Sequence, residues 1–91
     1  MARSNASLAS AFGKVTREAR VASNWTQEDL AERACVHRTY IGDLENGRKS
    51  PTLDIVEALA EALGQSASEL IAAAEGLRVA PSKVAPAGRR R

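Results

Sequence analysis

Cysteine and aromatic residues are almost missing from this 91-residue chain, which has one Cys, one His, one Trp, one Tyr and one Phe. A single cysteine closes no intrachain disulfide, so the framework of a small secreted scaffold is excluded. One Cys and one His cannot complete a four-ligand zinc site within one chain. No apolar run approaches the roughly 18 residues that a membrane-spanning helix needs. The start, MARSNASLAS, has no continuous apolar stretch and is not read as a secretion signal. A cytoplasmic protein without cofactor or metal is therefore expected. Runs of Val, Ile and Tyr are absent too, while Ala, Leu, Glu and Arg are plentiful, which favours helices over strands.

Charge is present but unevenly placed. Residues 1–49 carry a net +2, residues 50–76 a net −5 with no Lys or Arg, and residues 77–91 a net +5. A basic front and an acidic back suggest one surface that meets a polyanion and another that faces away from it.

The apolar residues fall into five helical patterns. Leu8, Phe12, Val15, Ala19 and Ala22 form one stripe, interrupted by Gly13, which costs a helix about 1 kcal/mol relative to Ala. Asn24 can end that helix in a left-handed conformation. Thr26 can cap a second helix, with Glu28 and Asp29 favouring its positive end and Leu30, Ala31 and Ala34 inward. The third helix is read from HRTYIGDLENG, with Ile41 and Leu44 inward and Asn46-Gly47 as its stop. Thr52 caps a fourth, whose expected apolar face is Leu53, Val56, Leu59, Ala60 and Leu63, ending at Gly64. Ser66 to Glu69 forms a capping box for a fifth, with Leu70, Ile71 and Ala74. A flexible N-terminus (1–6), one domain (7–76) and a flexible basic tail (77–91) are expected.

Gln27 to Asn46 is the informative segment. Two short helices crossing steeply need apolar residues at Leu30, Ala34, Val36, Ile41 and Leu44, and a small residue at Ala31, where the second helix passes close. With Arg17 and Arg20, Thr26-Gln27, Leu30-Ala31, Ile41, Leu44-Glu45, Gly47, Pro51, Ala60 and Leu63-Gly64, the chain resembles the phage-repressor and Cro-type helix-turn-helix regulators, the xenobiotic-response-element family. The likeness covers roughly residues 8–75. RTYI also resembles the controller proteins of restriction–modification systems, over four residues only. The resemblance implies an all-α, five-helix, lambda-repressor-like fold with a central helix-turn-helix that binds double-stranded DNA.

It also implies roles. The third helix would lie in the major groove, with His37, Arg38, Thr39 and Asp43 towards base edges. Arg38 can take O6 and N7 of guanine together; Asp43 can accept from a cytosine amine or simply orient Arg38. Gln27, Tyr40, Asn46, Arg48 and Lys49 would reach phosphates, and Arg20 and Glu45 would form an ion pair between helices one and three. Asn24 and Cys35 stand where the family commonly has Gly, and Gly42 where it has a longer polar residue.

One short helix reads only a few base pairs, so a homodimer on a near-palindromic operator is expected, with Ile71, Ala74 and Leu77 as the dimer surface. Autoregulation fits a small regulator. An antitoxin that also binds a toxin protein is the alternative, and RNA polymerase is a further candidate partner. Catalysis by Cys35 and His37 is disfavoured, because two residues in a tight turn do not easily aim at one atom. Cys35 reads instead as a turn residue and His37 as a helix cap or DNA contact.

Overall fold

The computed structural model describes residues 7–78, which form five helices and no strand. The segments expected to be flexible, residues 1–6 and most of 77–91, lie outside the described residues. The helices are α1 (Leu8–Ala22), α2 (Gln27–Ala34), α3 (Arg38–Glu45), α4 (Leu53–Ala62) and α5 (Ala67–Arg78). Their starts are set by local side chains. Ser7, Thr26 and Thr52 each accept a hydrogen bond from the backbone N–H three residues on, satisfying donors that the helix leaves free. Thr26 with Asp29, and Ser66 with Glu69, make the reciprocal capping box, in which the acid also accepts from the cap's own N–H. The Thr26 bonds hold the Asp29 carboxyl below its ordinary pKa.

Four helices end in the same way. Asn24, Cys35, Gly47 and Gly64 all adopt left-handed backbone, with φ of 63°, 60°, 76° and 75°. In each case the following N–H reaches back five residues to a helix carbonyl: Trp25 to Arg20, Val36 to Ala31, Arg48 to Asp43 and Gln65 to Ala60. This is the Schellman motif, which turns the chain sharply while satisfying the last carbonyls. Glycine suits it because it has no Cβ; Asn is tolerated, whereas Cys35 bears strain.

The core is one cluster contributed by all five helices, with Phe12, Leu30, Ile41, Leu44, Leu59 and Leu70 fully enclosed. α1 packs along α5 and across α3, α2 packs on α3 and α4, and α4 packs on α5. The buried face of α1 is broader than its apolar stripe: Ala11, Gly13, Thr16 and Arg20 are buried, whereas Ala22 is exposed. Gly13 has a clear reason to be glycine. A Cβ there would overlap the carbonyl of Leu44 and lie 3.2 Å from Glu45 Cα, so only glycine lets α1 touch the backbone of α3.

Two expectations need correction here. Leu53 is not in the core but is 83% exposed, at the first residue of α4. Ala74, assigned to a dimer surface, is fully buried and completes the monomer's own core. α5 runs on past Gly76 to Arg78.

Candidate nucleic-acid interface

The turn from α2 to α3 takes only Cys35, Val36 and His37. Its left-handed Cys35 reverses the chain, and Val36 packs against the core. α3 then buries Ile41, Leu44 and Glu45 and turns its opposite side outward. His37, Arg38 and Thr39 are exposed, while Tyr40, Gly42 and Asp43 are half-buried. On a helix, Arg38 lies above Gly42 and Thr39 above Asp43, so these four make one continuous face. His37 is the N-cap of α3 but makes no capping bond, which leaves both ring nitrogens available.

The rear of α3 is clamped by a buried polar network. Arg20 Nε donates to Glu45 Oε2 at 2.7 Å and Arg20 Nη2 donates to Glu45 Oε1 at 3.0 Å, a two-pronged pairing. Arg20 Nη1 donates to the Trp25 carbonyl at 2.7 Å. Gln27 Nε2 donates to Glu45 Oε1 at 3.1 Å. The Glu45 side chain is 2% exposed and that of Arg20 10%, so both charges are out of water and matched. The hydrogen bonds that Arg20 donates to Glu45 raise its pKa beyond an already high value. The C-terminal end of α3 is thereby fixed to α1 and to the first residue of α2.

Gln27 sits close beside the exposed face: a Cβ on Gly42 would meet its amide at 3.8 Å. One carboxamide thus joins the rear clamp to the front edge of α3. A shallow open depression of about 580 Å3 lies between the N-terminal ends of α2 and α3, lined by Arg20, Thr26, Gln27, Glu28 and Arg38. The free N–H groups of a helix start and the Arg38 guanidinium suit it to an anion.

Beyond α3 the polar residues have specific partners. Asn46 Nδ2 donates to the Gly42 carbonyl at 2.9 Å, so this amide helps close the helix and keeps one hydrogen free. Asp43 does not pair with Arg38, as one expectation had it; its ion-pair partner is Arg48, at 3.6 Å. Arg48 and Lys49 are exposed. Tyr40 packs against the core, and burial raises its pKa, so its hydroxyl keeps its proton as a donor. Sequence reasoning gave Trp25 and Arg33 no role. The Trp25 carbonyl anchors Arg20, and the Arg33 guanidinium stacks 4.2 Å over the indole ring. A backbone carbonyl leaves no residue-type signal.

Cys35 is a free, exposed thiol in a turn. No group of His, Cys, Asp and Glu able to hold a metal occurs among the described residues. No helix among them is long and apolar enough to cross a membrane.

A buried-backed helix held across a partner helix, with a polar outer face and cations flanking it, is the arrangement of a DNA-reading helix-turn-helix. Residues 17–70 match the helix-turn-helix family, and the chain belongs to it. It is a DNA-binding transcription regulator, similar to the controller proteins, and its relatives are regulators rather than enzymes. Control protein C.BamHI of Bacillus amyloliquefaciens is 41% identical over 61 residues, covering 66% of this chain and 75% of that protein. The structure of the restriction-modification controller protein C.AhdI of Aeromonas hydrophila is similar with a TM-score of 0.65 and 36% identity, over 67% of this chain and 92% of that one. The clp gene regulator ClgR of Corynebacterium glutamicum gives a TM-score of 0.76 at 30% identity, over 79% of this chain and 77% of that one.

Proposed function

We propose that the protein binds a near-palindromic operator as a homodimer, with α3 in the major groove, and regulates its own synthesis. The observation that carries this reading is the outer face of α3: Arg38, Thr39 and Asp43 stand outward on a helix whose reverse side is buried and clamped through Glu45. Such a face is preorganised, so little ordering cost remains when it meets base edges. Gln27 and the start of α2 flank it on one side and Lys49 on the other, as phosphate contacts would require.

The dimer follows from size. Eight residues of α3 span only about 12 Å, roughly one half-site, so specificity requires two copies. The surface that suits a second copy is the apolar groove of about 280 Å3 at the junction of α1, α4 and α5, where exposed Leu53 meets Leu8, Val56 and Ile71. Leu77, 47% exposed, adds apolar surface farther along α5. Ala74 drops out because it is fully buried within the monomer. Binding as a dimer makes occupancy rise steeply with concentration, which is what autoregulation needs.

Footprinting and gel shifts on the chain's own upstream DNA, against random DNA at about physiological salt, test this. Two protected half-sites about 10 base pairs apart are expected. Arg38→Ala should cost about 1–3 kcal/mol at one base pair per half-site. Leu53→Lys should leave a folded monomer that no longer protects both half-sites. Equal affinity for operator and random DNA would refute the proposal.

A further inference from the structure

Asp43 and Arg48 form an ion pair, which gives Arg48 a partner other than the phosphates expected for it. The pairing is built in by the backbone. Left-handed Gly47 turns the chain so that the Arg48 N–H bonds the Asp43 carbonyl at 2.8 Å. That places the Arg48 guanidinium Nη1 3.6 Å from Asp43 Oδ1. The last turn of α3 contains no basic residue of its own, so the compensating charge comes from beyond the helix end. The Asp43 side chain is 27% exposed and that of Arg48 71%, so the carboxylate is partly sheltered while its partner lies over it from solvent.

A carboxylate on a DNA-facing helix has an electrostatic problem. The duplex carries about one negative charge per 1.7 Å, which repels it. Ionised, it can only accept hydrogen bonds, and in the major groove its complementary groups are the exocyclic amines of cytosine and adenine. A cation on one oxygen offsets the repulsion and leaves the other oxygen to accept from a base. In water such an exposed pair contributes little to stability. Against DNA, with water displaced, its orientation matters more.

We propose that Arg48 is a specificity-determining positioning residue, which holds Asp43 as the acceptor for the exocyclic amine of one base in each half-site. This rests on α3 reading the major groove. Arg48 therefore acts through Asp43, and its loss is felt at one base pair. A phosphate contact would behave differently, weakening every sequence alike and lowering the salt slope by about one.

The test is a binding panel with the full chain, in which every base pair of the half-site is replaced in turn. Wild type, Asp43→Ala, Arg48→Gln, Arg48→Lys and the Asp43→Ala/Arg48→Gln double variant are compared. Wild type should prefer C or A at one position. Asp43→Ala and Arg48→Gln should each flatten that same preference by about tenfold. The double variant should lose no more than either single change, and Arg48→Lys, which keeps the charge, should retain the preference. If Arg48→Gln weakens all operators evenly with preferences intact, or relaxes a different base pair from Asp43→Ala, the inference is overturned while operator reading stands. A wild-type chain with no preference at any position overturns both.

Discussion

Replacing Arg20 with Met removes three hydrogen bonds at once, the two to Glu45 and the one to the Trp25 carbonyl. Glu45 then keeps only the Gln27 amide, in a site where its side chain is 2% exposed. Leaving one member of a buried ion pair unmatched costs about 3–5 kcal/mol. A domain of this size has only about 4–11 kcal/mol of stability in total, at 0.05–0.15 kcal/mol per residue. Arg20→Met should therefore lower the melting temperature by more than about 12 °C. Glu45→Leu should cost a comparable amount, because it strands Arg20 and frees the Gln27 amide. The double variant, with two apolar groups facing each other, should recover at least about 2 kcal/mol relative to the sum of the singles. Urea unfolding followed by circular dichroism measures all four corners of this cycle. Singles within about 0.5 kcal/mol of wild type, or a double equal to their sum, would mean that the network does not hold α3. Because Glu45 faces away from the outer surface, a folded single variant should lose operator affinity without changing which bases are preferred.

Two glycines should respond oppositely to the same change. Gly13→Ala should destabilise by about 1–3 kcal/mol, despite its gain in helix propensity, because the new Cβ meets the α3 backbone. Gly42→Ala should stabilise by about 0.5–1 kcal/mol, since only the Gln27 amide lies near it, at 3.8 Å. Thermal melts of the two variants check both signs. Cys35→Gly should raise stability by up to about 1 kcal/mol by relieving left-handed strain at φ 60°, with operator binding unchanged. A loss of stability there would mean that the thiol makes a contact that its exposure does not show.

Much of this molecule is local, and what is local can be read in one dimension. Helix starts depend on a cap and a residue three positions on, so Thr26, Thr52 and Ser66–Glu69 were legible. Asn24 announced a left-handed stop, and Gly64 the end of a helix, because few residues adopt that backbone cheaply. Inward residues of α2 and α3 followed from spacing, as Leu30, Ile41 and Leu44, all fully buried, bear out. The roles of Arg20 and Glu45 came instead through family resemblance, since a contact spanning 25 residues has no local signature.

What only the tertiary structure decided shares one physical cause: it depends on which other element arrives, and how closely. By sequence alone Gly13 was a blemish in α1; the backbone of α3 lying against it makes it a requirement. Leu53 and Ala74 each belong to an apolar helix pattern, yet one is exposed and the other fully buried. Arg48, although exposed, pairs with Asp43 because Gly47 turns the chain back over α3. Periodicity and capping determined five helices and their inner faces. The approach of those helices determined which face of α3 was left outward.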